Sequence, residues 1–236
     1  VIPHIENIRQ VMSGIKNLLS NDGVGIIEFH DSSNIIQKNH YDYIYHEHTF
    51  YFTLYSINKV LITNKLYPFD YFKSPISGGS FVIIFKKKKT KTTKRFLNKI
   101  IQEKRKKLDK PEYWKLLENK FSKHKKKLLK LINNKSKNKK IFAYGASARS
   151  STLLNYLGID NSIIKKVFDI NTLKNGLYTP GSHIKIISKT EKKLKNTNLI
   201  ILLAWNFKKE IIKFLKNINF KGLIIEPLPV IKKYKL

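Results

Sequence analysis

The sequence predicts an α/β architecture in two parts joined by a basic helical stretch, on three observations. From residue 140 onward, apolar runs of strand length alternate with amphipathic segments of helix length. A helix–turn–strand pattern opens the chain. Between the two, residues 86–140 shift to nearly half lysine and arginine.

In residues 5–19, Ile5, Ile8, Val11, Met12, Ile15 and Leu18 or Leu19 recur at helical spacing. The turn SNDG follows, and VGIIEF (24–29) reads as a short buried strand, so this opening looks like the αβ half of a doubly wound unit. LYSINKVLITN (54–64) reads as an amphipathic helix. LYPFDYFKS (66–74) and SFVIIFKK (80–87) read as strands joined through PISGG, a link short enough to favour an antiparallel pair.

Across 86–140, Phe96, Leu97, Ile100 and Ile101, then Trp114, Leu117, Phe121, Leu128 and Leu131, predict two helices broken near Pro111, their lysines forming a solvated face. KIFAYGASAR (140–149) then gives a strand and a small-residue turn, and STLLNYLGI a helix. IIKKVFDIN (163–171), IKII (184–187), NLIILLAWN (198–206), a helix at 207–218 and GLIIEP (222–227) complete a β/α alternation. That pattern predicts a parallel sheet with ligands at the carboxyl ends of its strands. The expected division is 1–88, a basic helical linker at 89–138, and 139–236.

Composition narrows the classes. There is no cysteine among 236 residues, which excludes disulfides and thiolate metal sites within the chain and fits a reducing compartment. No apolar run approaches the roughly 20 residues of a membrane span. The start VIPHIENIRQ lacks a signal-peptide pattern, so a cytoplasmic location without membrane attachment is expected. Numbering opens at Val1, so an upstream segment is also expected. The formal charge of +31 invites a nucleic-acid partner, yet only Arg9, Arg95, Arg105 and Arg149 of 47 basic residues are arginine, the better phosphate and guanine reader. Lysine abundance throughout the chain reads as compositional bias, with no specific nucleic acid as partner; acidic small ligands remain open.

Two regions carry candidate chemistry. At the strand–helix junction, Gly145, Ala146, Ser147 and Ala148 are small enough for backbone N–H groups to approach a phosphate, with Arg149 in reach of a diphosphate. A plain tight turn is the alternative. Asp169 ends the next strand, where a carboxylate accepts from ribose or sugar hydroxyls or caps a loop. The TPGSH loop (Pro180, Gly181, His183) and Asn206 fall at loop or strand ends on the expected ligand side, with Trp205 read as packing.

The sharper region is YDYIYHEHTFYF (41–52), where Tyr45, His46, Glu47 and His48 stand among rings. Imidazole and carboxylate groups transfer protons near pH 7, and a tyrosine hydroxyl donates to a developing oxyanion. A metal site or a satisfied polar loop are the alternatives, although the spacing matches no strong zinc motif.

The stretch YDYIYHEHTFYFTLYSINKVL resembles the active-site segment of S-adenosylmethionine-dependent sugar C-methyltransferases acting on nucleotide-linked keto-deoxysugars. SGGSFVI with Gly78 and Gly79, AYGASARSSTLLNYLGI, VFDINTLKNGLYTPGSHI and ILLAWNFKKEI extend the resemblance over nearly the whole chain. The resemblance implies the C-terminal half of a Rossmann-like class I methyltransferase domain, a helical linker and a second Rossmann-like α/β domain. It implies His48 as general base, Tyr45 and Glu47 orienting the base or stabilising an enolate, and His46 as a second-rank base. It also implies substrate contacts from Gly78, Gly79, Gly145, Ala146, Arg149, Asp169, Pro180, Gly181, His183 and Asn206. The implied substrate is a nucleoside-diphosphate sugar, thymidine-diphosphate-linked.

Three departures stand out. The family's cysteine-rich zinc module has no counterpart here, so no metal is expected in this chain. The glycine-rich loop for S-adenosylmethionine would precede VIPHIEN, so the cofactor site is expected to be incomplete, with an upstream domain or partner chain completing it. The usual Lys-Gly-Asn after the turn reads Arg149, Ser150, Ser151. The rival readings are a non-catalytic nucleotide-sugar-binding module and a basic nucleic-acid-binding protein.

Overall fold

The structure, a computed structural model, describes residues 1–136, 140–188, 194 and 197–236. The expected boundary at 138/139 lies outside the described residues. The chain forms two compact units, one of Val1–Gln37 with His46–Glu118, the other of Lys38–Tyr45 with Asn119–Leu236. Among the described residues no helix is long and apolar enough to cross a membrane.

The N-terminal unit opens with a 3-10 turn, Ile2–His4, followed by helix α1, Ile8–Leu18, which buries Met12. Asn7 caps α1 by accepting the Gln10 N–H, satisfying one of the orphan donors of the first turn. Strand β1, Gly25–His30, points Ile27 and Phe29 inward and leaves Ile26 64% exposed. This corrects the expectation of a buried strand in a doubly wound unit. β1 pairs antiparallel with the later strand Ser80–Lys86, which pairs antiparallel with Tyr67–Ser74. Numbering these β3 and β2, the order is β1-β3-β2, an antiparallel sheet that keeps one face of its edge strand in water.

Helix α2, Ser33–Gln37, follows β1. Helix α3, Leu54–Thr63, begins at a capping box in which Thr53 and Ser56 satisfy each other's backbone N–H. Helix α4, Lys94–Arg105, starts at the Thr93 cap and sends Phe96 into the same core as Met12, Phe29, Leu54, Ile57 and Phe81. The first half of the basic stretch is therefore part of the N-terminal unit, because one apolar stripe on a lysine-rich helix suffices to dock it. Buried Glu103 strengthens that docking. It accepts the Tyr55 N–H at 2.8 Å at the start of α3 and lies 3.1 Å from Lys99 Nζ. Helix α5, Pro111–Ser136, starts on its proline as expected, and the division between units falls inside it.

The C-terminal unit is built on strands β4, Ile141–Tyr144; β5, Ile164–Phe168; β6, Ile186–Ile187; β7, Leu199–Leu202; β8, Leu223–Glu226; and β9, Lys232–Lys235. Their order is β6-β5-β4-β7-β8-β9, parallel except for β9. Helices α6, Ala148–Leu157, and α7, Lys208–Asn217, supply crossovers, and Leu194, Leu202, Ile211, Leu215 and Phe220 share one core. The chain moves outward from β4 through β5 to β6, then returns to β7 on the other side of β4. That reversal opens a crevice at the carboxyl ends of β4 and β7. The sequence reading missed β9, whose KKYK looks like a charged tail. Its Tyr234 hydroxyl donates to buried Glu226, which also accepts from Lys208 at 3.0 Å.

Candidate functional site

In the N-terminal unit, backbone geometry gathers the histidines. Thr49 donates to the Pro3 carbonyl through both its N–H, at 2.8 Å, and its hydroxyl, at 3.0 Å; the hydroxyl is also 3.1 Å from the Ile5 carbonyl. Phe50 N–H adds a bond to the Pro3 carbonyl at 3.2 Å. These bonds staple residues 49–50 to the first turn of the chain and bring His4 beside His48, rings edge to face with centroids 4.9 Å apart. Glu47 is shared: one carboxylate oxygen lies 3.9 Å from His4 Nδ1, the other 4.0 Å from His46 Nε2. Tyr51 packs edge-on against His48 at 6.1 Å.

The segment is a turn and loop rather than a strand, so the alternation that would separate His46 from Glu47 does not apply. His46 is 87% exposed at its side chain. His48 is partly buried. The imidazole next to His48 is that of His4, and it is His4 that faces the Glu47 carboxylate; a histidine pair with a carboxylate at one end can take up and stabilise a proton. Sequence reasoning missed His4, since nothing local in VIPH marks it; only the Pro3 carbonyl as acceptor for residues 49–50 brings it in. Tyr45, partly buried, belongs to the C-terminal unit, and the chain passes between units at the Tyr45–His46 bond. Among the described residues no group of three or more histidine or acidic side chains is arranged to hold a metal ion.

Gly78 and Gly79 form the β2–β3 connection with φ of 84° and 131°, values side chains rarely adopt. The Gly79 carbonyl accepts the Asp31 N–H and the Asn34 side-chain amide, both at 3.2 Å, so this turn is tied to the chain leaving β1.

In the C-terminal unit the crevice between β4 and β7 has a volume of about 470 Å³, within the range of small-molecule sites. Tyr144, Ile170, Phe207 and Phe214 supply apolar surface, and Asp169 and Glu210 supply carboxylates. Gly145 sits at φ +100°, and a Cβ there would come within 2.4 Å of Ala204 Cβ; this close approach allows the Ala204 N–H to reach the Tyr144 carbonyl at 3.1 Å. Burial, with the Asp169 charge, pushes the Tyr144 hydroxyl pKa up, keeping it a neutral donor.

The turn's donors are used internally. Gly145 N–H bonds to the Phe168 carbonyl at 2.7 Å, Ala146 N–H to Asp169 at 2.7 Å, and Ser150 N–H to the Ser147 hydroxyl at 3.2 Å. Lys174 bonds the Ala146 carbonyl at 2.7 Å and lies 3.6 Å from Asp169. Asp169 thus stands where the phosphate reading would put an anion, and the second Asp169 oxygen accepts the Asn171 N–H.

Arg149 does not line the crevice. Its Nε and Nη2 donate to Asp42 at 2.9 and 2.7 Å, its Nη1 donates to the Tyr43 hydroxyl at 3.0 Å, and the guanidinium lies 3.8 Å from the Tyr43 ring centre. The expected diphosphate contact is thereby replaced, in this structure, by a buried carboxylate. Trp205, read as packing, also bonds Asp42 through its indole N–H at 2.9 Å. Burial pushes the Asp42 carboxyl pKa up, opposed by the Arg149 charge and these hydrogen bonds. Asn206 is not part of the crevice lining, although Ala204 and Phe207 on either side are.

The TPGSH loop lies at the other end of the sheet. Residues 176–178 run back from β5 antiparallel to the approach to β6, which puts the turn at the amino ends of the strands. There the Pro180 carbonyl accepts from Asn155 near the end of α6, the His183 carbonyl from Asn161, and Thr179 and Ser182 hydroxyls bond each other. This corrects the expectation that Pro180, Gly181 and His183 share the ligand side: hairpin geometry, invisible to strand counting, turned the loop away.

Comparison with known proteins adds an independent line. The family described as C-methyltransferase C-terminal domain matches residues 75–229. The protein C-methyltransferase NovU of Streptomyces niveus is 27% identical over 233 residues, covering 96% of this chain and 55% of that relative. The chain thus spans about half the length of the curated relative it matches, and the aligned length includes the histidine segment.

Proposed function

The chain belongs to the C-methyltransferase C-terminal domain family, and from that premise we propose that it supplies the base and the nucleotide crevice for C-methylation of a nucleoside-diphosphate-linked keto-deoxysugar. The observation that carries this reading is the set of His48, His4 and Glu47, assembled by the Pro3 staple.

In the proposed step His48 takes the proton from the carbon next to the ketone. The C–H electron pair becomes the enolate, and the imidazolium forms beside His4, whose Nδ1 lies 3.9 Å from the Glu47 carboxylate. Tyr45 is assigned, from the family resemblance, as hydroxyl donor to the enolate oxygen, and His46 as the second-rank base. In the crevice, the carboxylates of Asp169 and Glu210 suit sugar hydroxyls and favour the nucleoside end over its phosphates, while the apolar surface of Phe207 and Ile170 suits a base.

S-adenosylmethionine, when bound, supplies an electrophilic methyl group. Among the described residues the strands of the N-terminal unit pair antiparallel and form no parallel strand–glycine turn–helix frame for it, and the frame of that form in the C-terminal unit, β4–Gly145–α6, is the one assigned here to the nucleotide sugar. Proton abstraction is the step proposed for this chain's own residues.

Proton abstraction is testable without methyl transfer. The chain, incubated in D2O with a thymidine-diphosphate-linked 4-keto-6-deoxyhexose, is expected to accelerate deuterium entry next to the ketone, read by mass spectrometry. His48→Ala is expected to cut that acceleration by about 10²- to 10⁴-fold, the range for loss of a general base. Equal exchange by wild type and His48→Ala would remove His48 from the role.

A further inference from the structure

Residues Lys38–Tyr45 come between two stretches of the N-terminal unit in sequence, yet they pack in the C-terminal unit. Their anchorage is heavy for eight residues. Asn39 donates to the Pro229 carbonyl at 3.1 Å, and the Tyr41 ring packs on Phe121 and Tyr156 with its hydroxyl 3.0 Å from His124 Nδ1. The His40 ring lies 4.7 Å from that of Trp205. Asp42, 1% exposed, receives Arg149 twice and Trp205 once, all on one carboxylate oxygen.

A buried ion pair recovers its desolvation cost only with good geometry, so its net contribution to stability is small, while breaking it leaves an uncompensated buried charge. The geometry is one that only arginine makes: two donors on one oxygen, a third on the Tyr43 hydroxyl, and a planar face against the Tyr43 and Trp205 rings. Arg149 is one of four arginines in a chain where lysine otherwise carries the charge. Directly after Tyr45 come His46, Glu47 and His48 with no spacer.

We propose that Arg149, acting through Asp42 and supported by Trp205, is a positioning residue that fixes how the chain leaves Tyr45 and thereby holds His48 in one arrangement. The C-terminal unit in this way sets the geometry of the proton-transfer segment through covalent continuity. The inference rests on the reading of His48 as the base, but its test does not use turnover.

The test is a ring C–H spectrum of the full chain labelled in histidine, with the His48 signal assigned through His48→Gln, alongside amide hydrogen exchange. Arg149→Lys keeps the charge and loses the fork; Trp205→Phe keeps an aromatic ring and removes the indole N–H together with part of the ring area. In both, the His48 signal is expected to broaden or split, and the Thr49 and Phe50 amides to exchange at least tenfold faster. His183, at the amino end of the sheet in the same unit as Arg149, is expected to stay unchanged. Disturbance confined to His40 and the Tyr43 and Ile44 amides, with His48, Thr49 and Phe50 unmoved, would reduce the cluster to local stabilisation and overturn the proposal. Should Arg149→Lys perturb His183 as well, Trp205→Phe decides on the same criteria. Retained deuterium exchange in His48→Ala is a separate result: it sinks the role of His48 whatever these spectra show.

Discussion

His40 provides a quantitative test of how the C-terminal unit is built. Its side chain is 1% exposed and packed between the Tyr43 and Trp205 rings. Burial, reinforced by the positive charges of Arg149 and Lys38, lowers its pKa from 6.5 to about 3. Folded His40 is therefore neutral at pH values where the unfolded residue binds a proton. The unfolded state holds more protons between these two values, so stability is complete above about pH 6.5 and is lost as pH falls towards 3. At pH 5 the loss is about 1.5 decades in the folding constant, or about 2 kcal/mol. That figure barely depends on the folded value, since at pH 5 folded His40 is neutral for any pKa near 3. The assay is urea unfolding at pH 8 and pH 5 in a Trp114→Phe background, where Trp205 is the one remaining indole and touches His40. His124, whose pKa burial also lowers, contributes equally with and without His40 and cancels in the comparison. His40→Gln is expected to lose about 2 kcal/mol less than its parent between the two pH values. Parallel losses in both proteins would mean that His40 titrates in the folded state and that the cluster is open to water.

Substitutions at three further positions test the packing that frames each unit. Gly145→Ala places a Cβ 2.4 Å from Ala204 Cβ at φ +100°, so backbone strain and overpacking together are expected to destabilise the C-terminal unit by about 3 kcal/mol in denaturant unfolding. Gly176→Ala, also at positive φ but with open space around it, is expected to lose about 1 kcal/mol, the conformational part alone. Glu103→Ala removes the acceptor of the Tyr55 N–H and the partner of Lys99; it is expected to destabilise the N-terminal unit by about 2–3 kcal/mol, with a smaller loss for Glu103→Gln. Equal midpoints for Glu103→Ala and wild type would show that α4 docks through Phe96 alone.

The parts legible from sequence were those that one element encodes within itself. Apolar periodicity marked α1, α3 and the strands β4, β5, β7 and β8, and the PISGG link marked the antiparallel β2–β3 pair. Strand–helix alternation indicated a parallel sheet, which holds for all of its pairs except that of β9 with β8. The clustering of Tyr45, His46, Glu47 and His48 singled out a segment that the structure places beside His4. What stayed hidden depended on approaches between distant residues. Phe96 reads as one apolar residue in a lysine run until α4 docks; TPGSH reads as a strand-end loop until its hairpin turns it towards Asn155. Arg149 reads as a phosphate ligand until Asp42, 107 residues earlier, claims its fork. The sequence by itself determined which residues seek burial and where helices and strands begin, because propensity, capping and periodicity act over a few residues. Only the tertiary structure decided which buried charge meets which, because pairing in a low-dielectric interior depends on the few ångströms separating groups that the chain brings together from far apart.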